Sequence, residues 1–463
     1  MLFNSNEFLI FVCVVSILYF LLARDVRLQN VLIVIASFVF YGSWSLPFLL
    51  LMIFTGTVDY VFGRLIHSSR NKFQKKTILI GSLFVNLGIL GYFKYGGFGA
   101  EILQDLFSVF HGEIQRSVWT VMLPVGISFY TFQSISYVID VYRGHISAER
   151  NWVTFMAFLT FFPQLVAGPI ERAGHLLPQF KEQRSITASD IDQVTWLLLW
   201  GFFKKVVIAD NLAPYSDLVF SKDTYPLTTY LFGTLAFGIQ IYCDFSGYSD
   251  IARGLGKFFG FDIMFNFRLP YAATNLRDFW TRWHSSLSGW FRDYLYIPLG
   301  GNRRTLAITC RNLFIVMLVA GLWHGANWTF VIWGVWHGAA LIVCVLWRKS
   351  EVHLPSILAW SLTMAVVFVG WLFFRATSLQ QLYAMLFENR DALHPLWIRD
   401  YLRGLLIFIA PLAAIETIQL IRHDLTWPTL LPFVPKSILY GFIFAAVLLY
   451  WEKEGTSFIY FQF

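Results

Sequence analysis

The sequence predicts an all-α protein that crosses a membrane many times. Of its 463 residues, 57% are hydrophobic and only 14% are charged, whereas soluble domains carry about 25% charged residues. Apolar runs of about 20 residues, the length that a membrane-spanning helix needs, recur along the whole chain, and no polar stretch long enough for a soluble domain separates them. We therefore predict a single integral membrane domain over residues 1–463.

Several of the apolar runs are short or interrupted by Gly and Pro, as at Pro124–Gly126 and at Gly168–Pro169. Interrupted helices survive at membrane depth only where they are buried in protein or line a wet cavity. We expect about eleven complete crossings, with re-entrant or interfacial helices, around a central tunnel. The candidate runs are 8–23, 30–45, 46–66, 77–96, 118–142, 151–168, 194–212, 230–250, 311–323, 328–347, 357–376, 404–422 and 437–452.

The first apolar run is predicted to be a membrane helix rather than a signal peptide, because no basic segment precedes it and no small-x-small cleavage site follows it. The cysteines all lie in apolar runs and form no C-x-x-C pair, so we predict neither a disulfide framework nor a zinc site. They are Cys13, Cys243, Cys310 and Cys344.

Basic residues concentrate in the short loops near 24–29 and 67–76, which two crossings separate. Short basic loops stay in the cytoplasm, so we expect the N-terminus on the outer face. The net charge of +7 is then mostly a topology signal. A nucleic-acid partner would need a basic soluble face, which the sequence does not contain, and we expect none.

The segment "FWTRWHSSLSGWFRDYLYIPLGG", residues 279–301, interrupts the apolar pattern. Its apolar runs are too short to span a membrane. At 100° per residue its large apolar side chains share one helical face, which is typical of an interfacial or re-entrant amphipathic helix. Its polar residues include Arg282, His284, Arg292 and Asp293.

A second motif, "GLWHGANW", places His324 inside an apolar run. Placing an ionisable side chain at membrane depth costs a few kcal/mol, so such a residue is a candidate for a functional role. The alternative is a histidine hydrogen-bonded inside a helix bundle. Gly321 and Gly325 would let another backbone or a ligand approach closely, and Asn327 lies one turn further on. For His284, the alternative is an interfacial histidine with its polar tip in water.

His337 repeats the Trp-His-Gly pattern thirteen residues after His324. On a continuous helix the two would lie about 20 Å and about 220° apart, so they cannot share a metal ion unless the helix breaks between them. We predict a structural role for His337 and no metal site. "YCDFSGYSD", residues 242–250, places Asp244 and Asp250 near a membrane segment as a weaker functional pattern, and its alternative interpretation is a hydrogen-bonded helix end. The serine-hydrolase G-x-S-x-G pattern is absent.

A histidine in a buried aqueous cavity, without metal or serine nucleophile, suits direct acyl transfer from a thioester. The donor is already activated, so the protein mainly has to remove a proton from the attacking hydroxyl. Imidazole does this at neutral pH and is typically worth about 10²–10⁴-fold. Positioning and donors to the oxyanion supply the rest.

Five motifs of the sequence closely resemble the membrane-bound O-acyltransferase (MBOAT) family, most of all its bacterial alginate O-acetyltransferase branch. The resemblance covers about residues 1–350, and the remainder matches only in hydropathy. The motifs are "FWTRWHSSLSGWFRDYLYIPLGGNR", "GLWHGANWTFVIWGVWHG", "DFSGYSD", "LPVGISFYTFQSISYVIDVYRG" and "AGPIER".

The resemblance implies a multi-pass enzyme of the bacterial inner membrane, with its catalytic core at about 118–350. It implies that His324 is catalytic and that His284 is a second functional position. The acetyl donor is expected on the cytoplasmic side and to be acetyl-CoA, with no bound cofactor. The acetyl group would reach an exported glycan through periplasmic acetyltransferase or esterase-like partner proteins. The expected substrate-binding residues are Arg282, Trp283, Asn327, Arg292, Asp293 and Tyr296.

Three alternatives stay open. A D-alanyl transferase of the same family would take its acyl group from a carrier-protein thioester and act on teichoic acid. A transporter or flippase would also use broken helices and intramembrane charge, although the two halves show no internal repeat. A membrane scaffold for secretion would need neither histidine. The acceptor is open among alginate, cellulose and peptidoglycan.

Overall fold

The computed structural model of the chain describes residues 1, 3–111, 121–166, 168–222, 225–348, 353–388, 395–451 and 458–459. Its regular structure is helical, and no strand occurs among these residues. The predicted all-α class is confirmed. The chain divides into two compact units, one of residues 1, 7–186 and 259–263, the other of residues 2–6, 187–258 and 264–463. The single domain over 1–463 stays a prediction.

The first unit contains nine α-helices among its described residues. They are α1 (Asn6–Leu21), α2 (Val26–Gly42), α3 (Leu46–Ser68), α4 (Lys72–Leu90), α5 (Gly96–His111), α6 (Ile127–Arg143), α7 (Trp152–Thr160), α8 (Phe162–Leu165) and α9 (Ala173–Leu176).

The second unit contains eleven, counted over the same described part of the chain. They are α10 (Ala188–Phe202), α11 (Asp210–Phe220), α12 (Leu227–Phe258), α13 (Leu276–Arg282), α14 (Ser285–Phe291), α15 (Leu306–His324), α16 (Trp328–Trp347), α17 (Ser356–Arg375), α18 (Leu379–Tyr383), α19 (Pro395–Arg422) and α20 (Phe433–Leu449).

Within the described residues, six helical stretches are long and apolar enough to cross a membrane, and α1, α2 and α20 are shorter apolar helices. The chain is thus a multi-pass membrane protein, and about eleven crossings stays a prediction. The candidate run 118–142 begins outside the described residues, and Ala167 of "AGPIER" lies outside them too. The six stretches are Leu46–Ser68, Lys72–Ser108, Leu306–His324, Trp328–Trp347, Ser356–Arg375 and Trp397–Arg422.

A buried carboxylate joins three helices of the first unit. Asp59 of α3 accepts hydrogen bonds from Ser82 Oγ at 2.6 Å and Asn86 Nδ2 at 2.8 Å, both on α4. It also accepts one from Ser134 Oγ of α6. Each bond satisfies a polar group that would otherwise be costly at membrane depth, so the four side chains fix how α3, α4 and α6 pack.

In the same unit, His175 of "AGPIERAGH" lies between two carboxylates. Its Nδ1 is 3.0 Å from Oε2 of the buried Glu171, and its Nε2 is 3.4 Å from Asp262 Oδ2. Because both ring nitrogens face carboxylate oxygens, both carry a proton, and the ring is an imidazolium that donates to each carboxylate. Hydrogen bonds to Asp262 and to Glu171 raise the pKa of His175 to about 10.

The segment 242–250 is not a helix end, and that interpretation is wrong. It lies inside α12, which continues to Phe258. Lysines neutralise the aspartates of this helix. Lys205 Nζ lies 2.8 Å from Asp244 Oδ1 and 2.8 Å from Oδ1 of Asp210, the first residue of α11. Lys204 Nζ lies 2.7 Å from Asp250 Oδ2. Pairing with cations keeps these charges tolerable inside the unit.

The ion pairs of His175 predict a pH-dependent stability. Since the pKa in the folded protein, about 10, exceeds the ordinary value of about 6.5, the stabilisation is complete below pH of about 6.5 and is lost as the pH rises towards about 10. Thermal unfolding of the wild type and His175→Gln in detergent should show a difference in midpoint that shrinks over this range. Substituting the exposed His67 by Gln serves as the control. A constant difference across the range would contradict the assignment.

Candidate active site

The two predicted histidines, 40 residues apart in the sequence, both contact one indole ring. The ring centroids of His284 and Trp323 are 5.9 Å apart, and those of Trp323 and His324 are 5.1 Å apart. Only 1% of His284 and 5% of His324 is exposed. The segment that precedes α14 and the last residue of α15 therefore build one buried site.

His324 ends α15 because the chain breaks there and reverses. Gly325 is the C-terminal cap, and Asn327 starts α16 by accepting a hydrogen bond from Thr329 N at 3.1 Å. The helix therefore breaks between His324 and His337, at the boundary between the predicted runs 311–323 and 328–347. Both rings contact Trp333, at centroid distances of 5.2 Å and 4.8 Å.

The two glycines beside His324 are occupied by the protein itself. A Cβ at Gly321 would lie 2.3 Å from Phe330 O, and one at Gly325 would lie 2.1 Å from the Phe330 ring. The first part of the expectation, a close approach by another backbone, holds at Gly321. At Gly325 the neighbour is an aromatic ring. These glycines let α16 pack closely against the end of α15.

His284 lies in a left-handed backbone conformation, with φ of 43° and ψ of 52°. This conformation is uncommon for a residue other than glycine and is typical of functional sites that the surroundings hold in place. Here the Ser285 N–H donates to Asn266 O at 2.9 Å, and Ser285 Oγ donates to Phe265 O. The segment around Asn266 thus fixes the backbone that presents the imidazole.

Asn266, which the sequence analysis missed, also determines the tautomer of His284. Its Oδ1 lies 3.2 Å from His284 Nδ1 and accepts a 2.6 Å hydrogen bond from Ser286 Oγ. Its Nδ2 donates to Ser249 Oγ at 3.0 Å, which orients the amide. Facing an acceptor oxygen, Nδ1 carries the proton and Nε2 is left as an acceptor. Burial lowers the pKa of His284 to about 3, so the ring is neutral near pH 7.

Nothing in the sequence pattern distinguished Asn266 from an ordinary loop asparagine. Only the structure shows the role of Asn266, because its hydrogen-bond partners Ser249 and Ser286 lie on two different helices, α12 and α14. The segment 242–250 contributes to the site in a second way, through Phe245, whose ring centroid is 4.6 Å from that of His284.

The other predicted site residues have contacts within the second unit. Trp283 is buried and stacks on Phe279. Arg282 Nε donates to Asp278 Oδ1 at 2.9 Å. Trp283 lies next to His284 in the sequence, but its ring packs into an aromatic cluster. A role of Trp283 or Arg282 in binding substrate stays a prediction.

Arg292 and Asp293 form an ion pair of 2.7 Å with each other, and 66% of the Arg292 side chain is exposed. Tyr296 is half-buried beside Gly301. Asn327 Nδ2 donates to Thr377 O at 3.0 Å, so its amide has bonds at both ends. Substrate binding by these four predicted residues, Arg292, Asp293, Tyr296 and Asn327, likewise stays a prediction.

Exposed arginines lie at the start of α15, opposite to the end that carries His324. Arg303 and Arg304 precede the helix and Arg311 lies in its second turn. The thirteen residues from Arg311 to His324 correspond to about 20 Å along the helix axis. Among the described residues, no group of three or more His, Cys, Asp or Glu side chains could hold a metal ion.

Comparison with known proteins gives consistent matches. Residues 145–385 match the model of the membrane-bound O-acyltransferase family, MBOAT. A probable alginate O-acetylase of Pseudomonas aeruginosa is 44% identical over 83% of the chain and 74% of its own length. A peptidoglycan O-acetyltransferase of Helicobacter pylori is 36% identical over 82% of the chain and 78% of its length. A teichoic acid D-alanyltransferase of Bacillus subtilis is 27% identical over 52% of the chain and 65% of its length.

Removing the Asn266 acceptor should change the tautomer of His284. In Asn266→Leu we expect the proton to move from Nδ1 to Nε2, with acyl transfer slower by about tenfold or more. Asn266→Asp keeps an acceptor and should keep the Nδ1–H form. The measurement is solid-state NMR of protein labelled at histidine, with the signal identified by its loss in His284→Gln.

A matched control is Asn312→Leu. Asn312 is also buried in the second unit, but its amide donates to the backbone oxygens of Leu299 and Gly301. This substitution should lower thermal stability without changing the histidine signal. An Nδ1–H form that persists in Asn266→Leu would show that Asn266 does not set the tautomer.

Proposed function

The chain belongs to the membrane-bound O-acyltransferase family, and we propose that it transfers acetyl groups from acetyl-CoA in the cytoplasm towards hydroxyls of an exported polysaccharide or cell-wall glycan. The observation that carries this proposal is the pair of buried histidines, His284 and His324, that both contact Trp323. The relatives named for acetylation of alginate and of peptidoglycan support the acetyl group and the glycan acceptor.

His324 is the general base of the proposed reaction. It takes the proton of the acceptor hydroxyl as that oxygen bonds to the thioester carbonyl carbon. The C–S bond then breaks, and the departing thiolate takes the proton from the imidazolium, so the products are the acetyl ester and CoA thiol. Imidazole suits both proton steps near pH 7: the neutral ring accepts the first proton, and the imidazolium that forms donates it to the thiolate.

His284 has a different task, because its environment favours an acceptor at Nε2. The Nδ1–H group faces Asn266 Oδ1 at 3.2 Å, so the other nitrogen cannot donate to a carbonyl oxygen while the ring is neutral. It is suited to orient the acceptor hydroxyl or the departing thiol. Polarisation of the carbonyl, which requires a donor, must come from other groups.

The exposed arginines at the start of α15 are the proposed docking point for the donor. CoA carries several phosphates, and guanidinium groups bind phosphate in bidentate fashion. Arg303 and Arg304 precede α15, whose 19 residues span about 28 Å, so a donor held there by its phosphates would extend along this helix towards His324. The competing explanation is that these arginines contact anionic lipid.

The acceptor side of the reaction is proposed to face the periplasm of a bacterial inner membrane. There a periplasmic acetyltransferase or esterase-like partner would take part in passing the acetyl group to the glycan. A second candidate function is D-alanyl transfer to teichoic acid, which the 27% identical relative supports over about half of the chain. It is distinguished by the donor, a carrier-protein thioester in place of acetyl-CoA.

Substituting His324 by Ala should abolish acetylation of the cellular glycan while leaving the protein inserted and folded. Loss of the general base predicts a decrease of about 10²–10⁴-fold. Ester-linked acetate on purified glycan and the amount of protein in the membrane are measured together. The exposed His353 provides the control substitution, which should retain full activity. Wild-type acetylation by His324→Ala at equal expression would remove it from the mechanism.

Substituting both Arg303 and Arg304 by Gln should raise the KM for acetyl-CoA by about tenfold or more, the range expected for losing charge-assisted hydrogen bonds. Acetyl-pantetheine, which lacks the phosphates, provides the internal control, and its KM should not change. Kinetics on protein in nanodiscs give both values. If the KM for acetyl-CoA is unaltered, the arginines do not bind the donor.

A further inference from the structure

Beside His324 lies a closed cluster of three rings that the proposed chemistry has not used. Trp280 of α13 and Trp333 of α16 have centroids 5.6 Å apart. His337 of α16 contacts both, at 5.0 Å from Trp280 and 4.8 Å from Trp333. Trp333 and His337 are each 1% exposed.

Each ring of this cluster has a polar nitrogen with no protein partner. Within the described part of the chain, Trp280 Nε1, Trp333 Nε1 and His337 Nδ1 are buried and make no hydrogen bond. An unpaired buried polar group has lost its hydrogen bonds to water without replacing them, and native proteins leave few such groups. Trp371 and Trp427 each have one such nitrogen, but here three occur in rings that touch one another.

The chemistry of these nitrogens specifies what they can bind. An indole N–H only donates, so the complement of the cluster must be an acceptor, such as a carbonyl or negatively charged oxygen. Trp336, on the same helix, shows the contrast: its Nε1 donates to Val366 O at 2.9 Å.

The cluster lies next to the proposed base, His324, and the helix behind it leaves room for the imidazole of His337. The ring centroid of Trp333 is 5.2 Å from that of His324. On the far side, a Cβ at Gly370 would lie 2.3 Å from His337 Nε2, so only glycine leaves room for this ring. His337 was predicted from the sequence to be structural. In the structure its ring contacts Trp280 and Trp333, and its Nδ1 is one of the three nitrogens without a hydrogen bond.

We propose that Trp280, Trp333 and His337 form the subsite for the carbonyl oxygen of the transferred acyl group. This inference rests on the proposed acyl transfer and adds the donors that His284 cannot supply. As the hydroxyl oxygen bonds to the carbonyl carbon, the electron pair of the C=O π bond moves onto the carbonyl oxygen. The indole N–H groups stabilise that charge. When the C–S bond breaks, the pair returns to re-form C=O.

The test replaces each indole by a ring of similar shape that lacks the N–H. Trp333→Phe and Trp280→Phe should each lower kcat by about 10²–10³-fold, the effect of losing one oxyanion donor, with little change in KM for acetyl-CoA. Trp336→Phe is the matched control, since its N–H is bonded to backbone, and its kcat should stay within about twofold of wild type.

Membrane yield and thermal unfolding are measured first, and if Trp333→Phe does not accumulate, Trp280→Phe decides. A kcat within about twofold of wild type in the accumulated variants overturns the inference, as does a rise in KM with kcat unchanged. In those cases the wild type still transfers acetyl, and His324→Ala still fails. If the wild type itself does not use acetyl-CoA, the proposed function fails and the subsite with it.

Discussion

The close packing of α15 against α16 is the contact on which the candidate site depends. A Cβ at Gly321 would lie 2.3 Å from Phe330 O, and one at Gly334 would lie 2.7 Å from Met317 O, so the two helices meet backbone to backbone. The chain reverses between them at Gly325 and Asn327. That reversal leaves His324 at a helix end, where its ring can contact Trp323 on its own helix and Trp333 on the next.

Polar groups elsewhere in the chain show how costly burial is managed. Asp59 accepts hydrogen bonds from serine and asparagine side chains of two other helices, and Lys205 lies between two aspartates. These groups are satisfied by their own protein, as expected where no water competes. The indoles of Trp280 and Trp333 differ, because no described residue accepts from them. In the proposed site, these two indoles are the groups that donate to the substrate, whereas Asp59 and Lys205 hold the fold together.

Hydropathy predicted where most of the long apolar helices lie, because burial of apolar surface and helix length depend on local sequence. The motifs led to the prediction that His284 and His324 are functional, and the structure brings both into contact with Trp323. The sequence did not reveal that α12 continues past Asp250 or that Asn266 faces His284. Nor did it reveal that His337 and His324 both contact the Trp333 ring. The first two depend on residues far apart in the chain, the lysines that neutralise α12 and the serines that orient the Asn266 amide, and the third depends on how α15 and α16 pack.

The most direct measurement is an experimental structure of the protein with a stable CoA analogue whose thioester is replaced by a ketone. The account predicts the analogue's carbonyl carbon within reach of His324 and His284, its oxygen directed at the indoles of Trp280 and Trp333, and its phosphates at Arg303 and Arg304. An analogue bound with its carbonyl away from both histidines would contradict the central claim that these two rings form the acyl-transfer site.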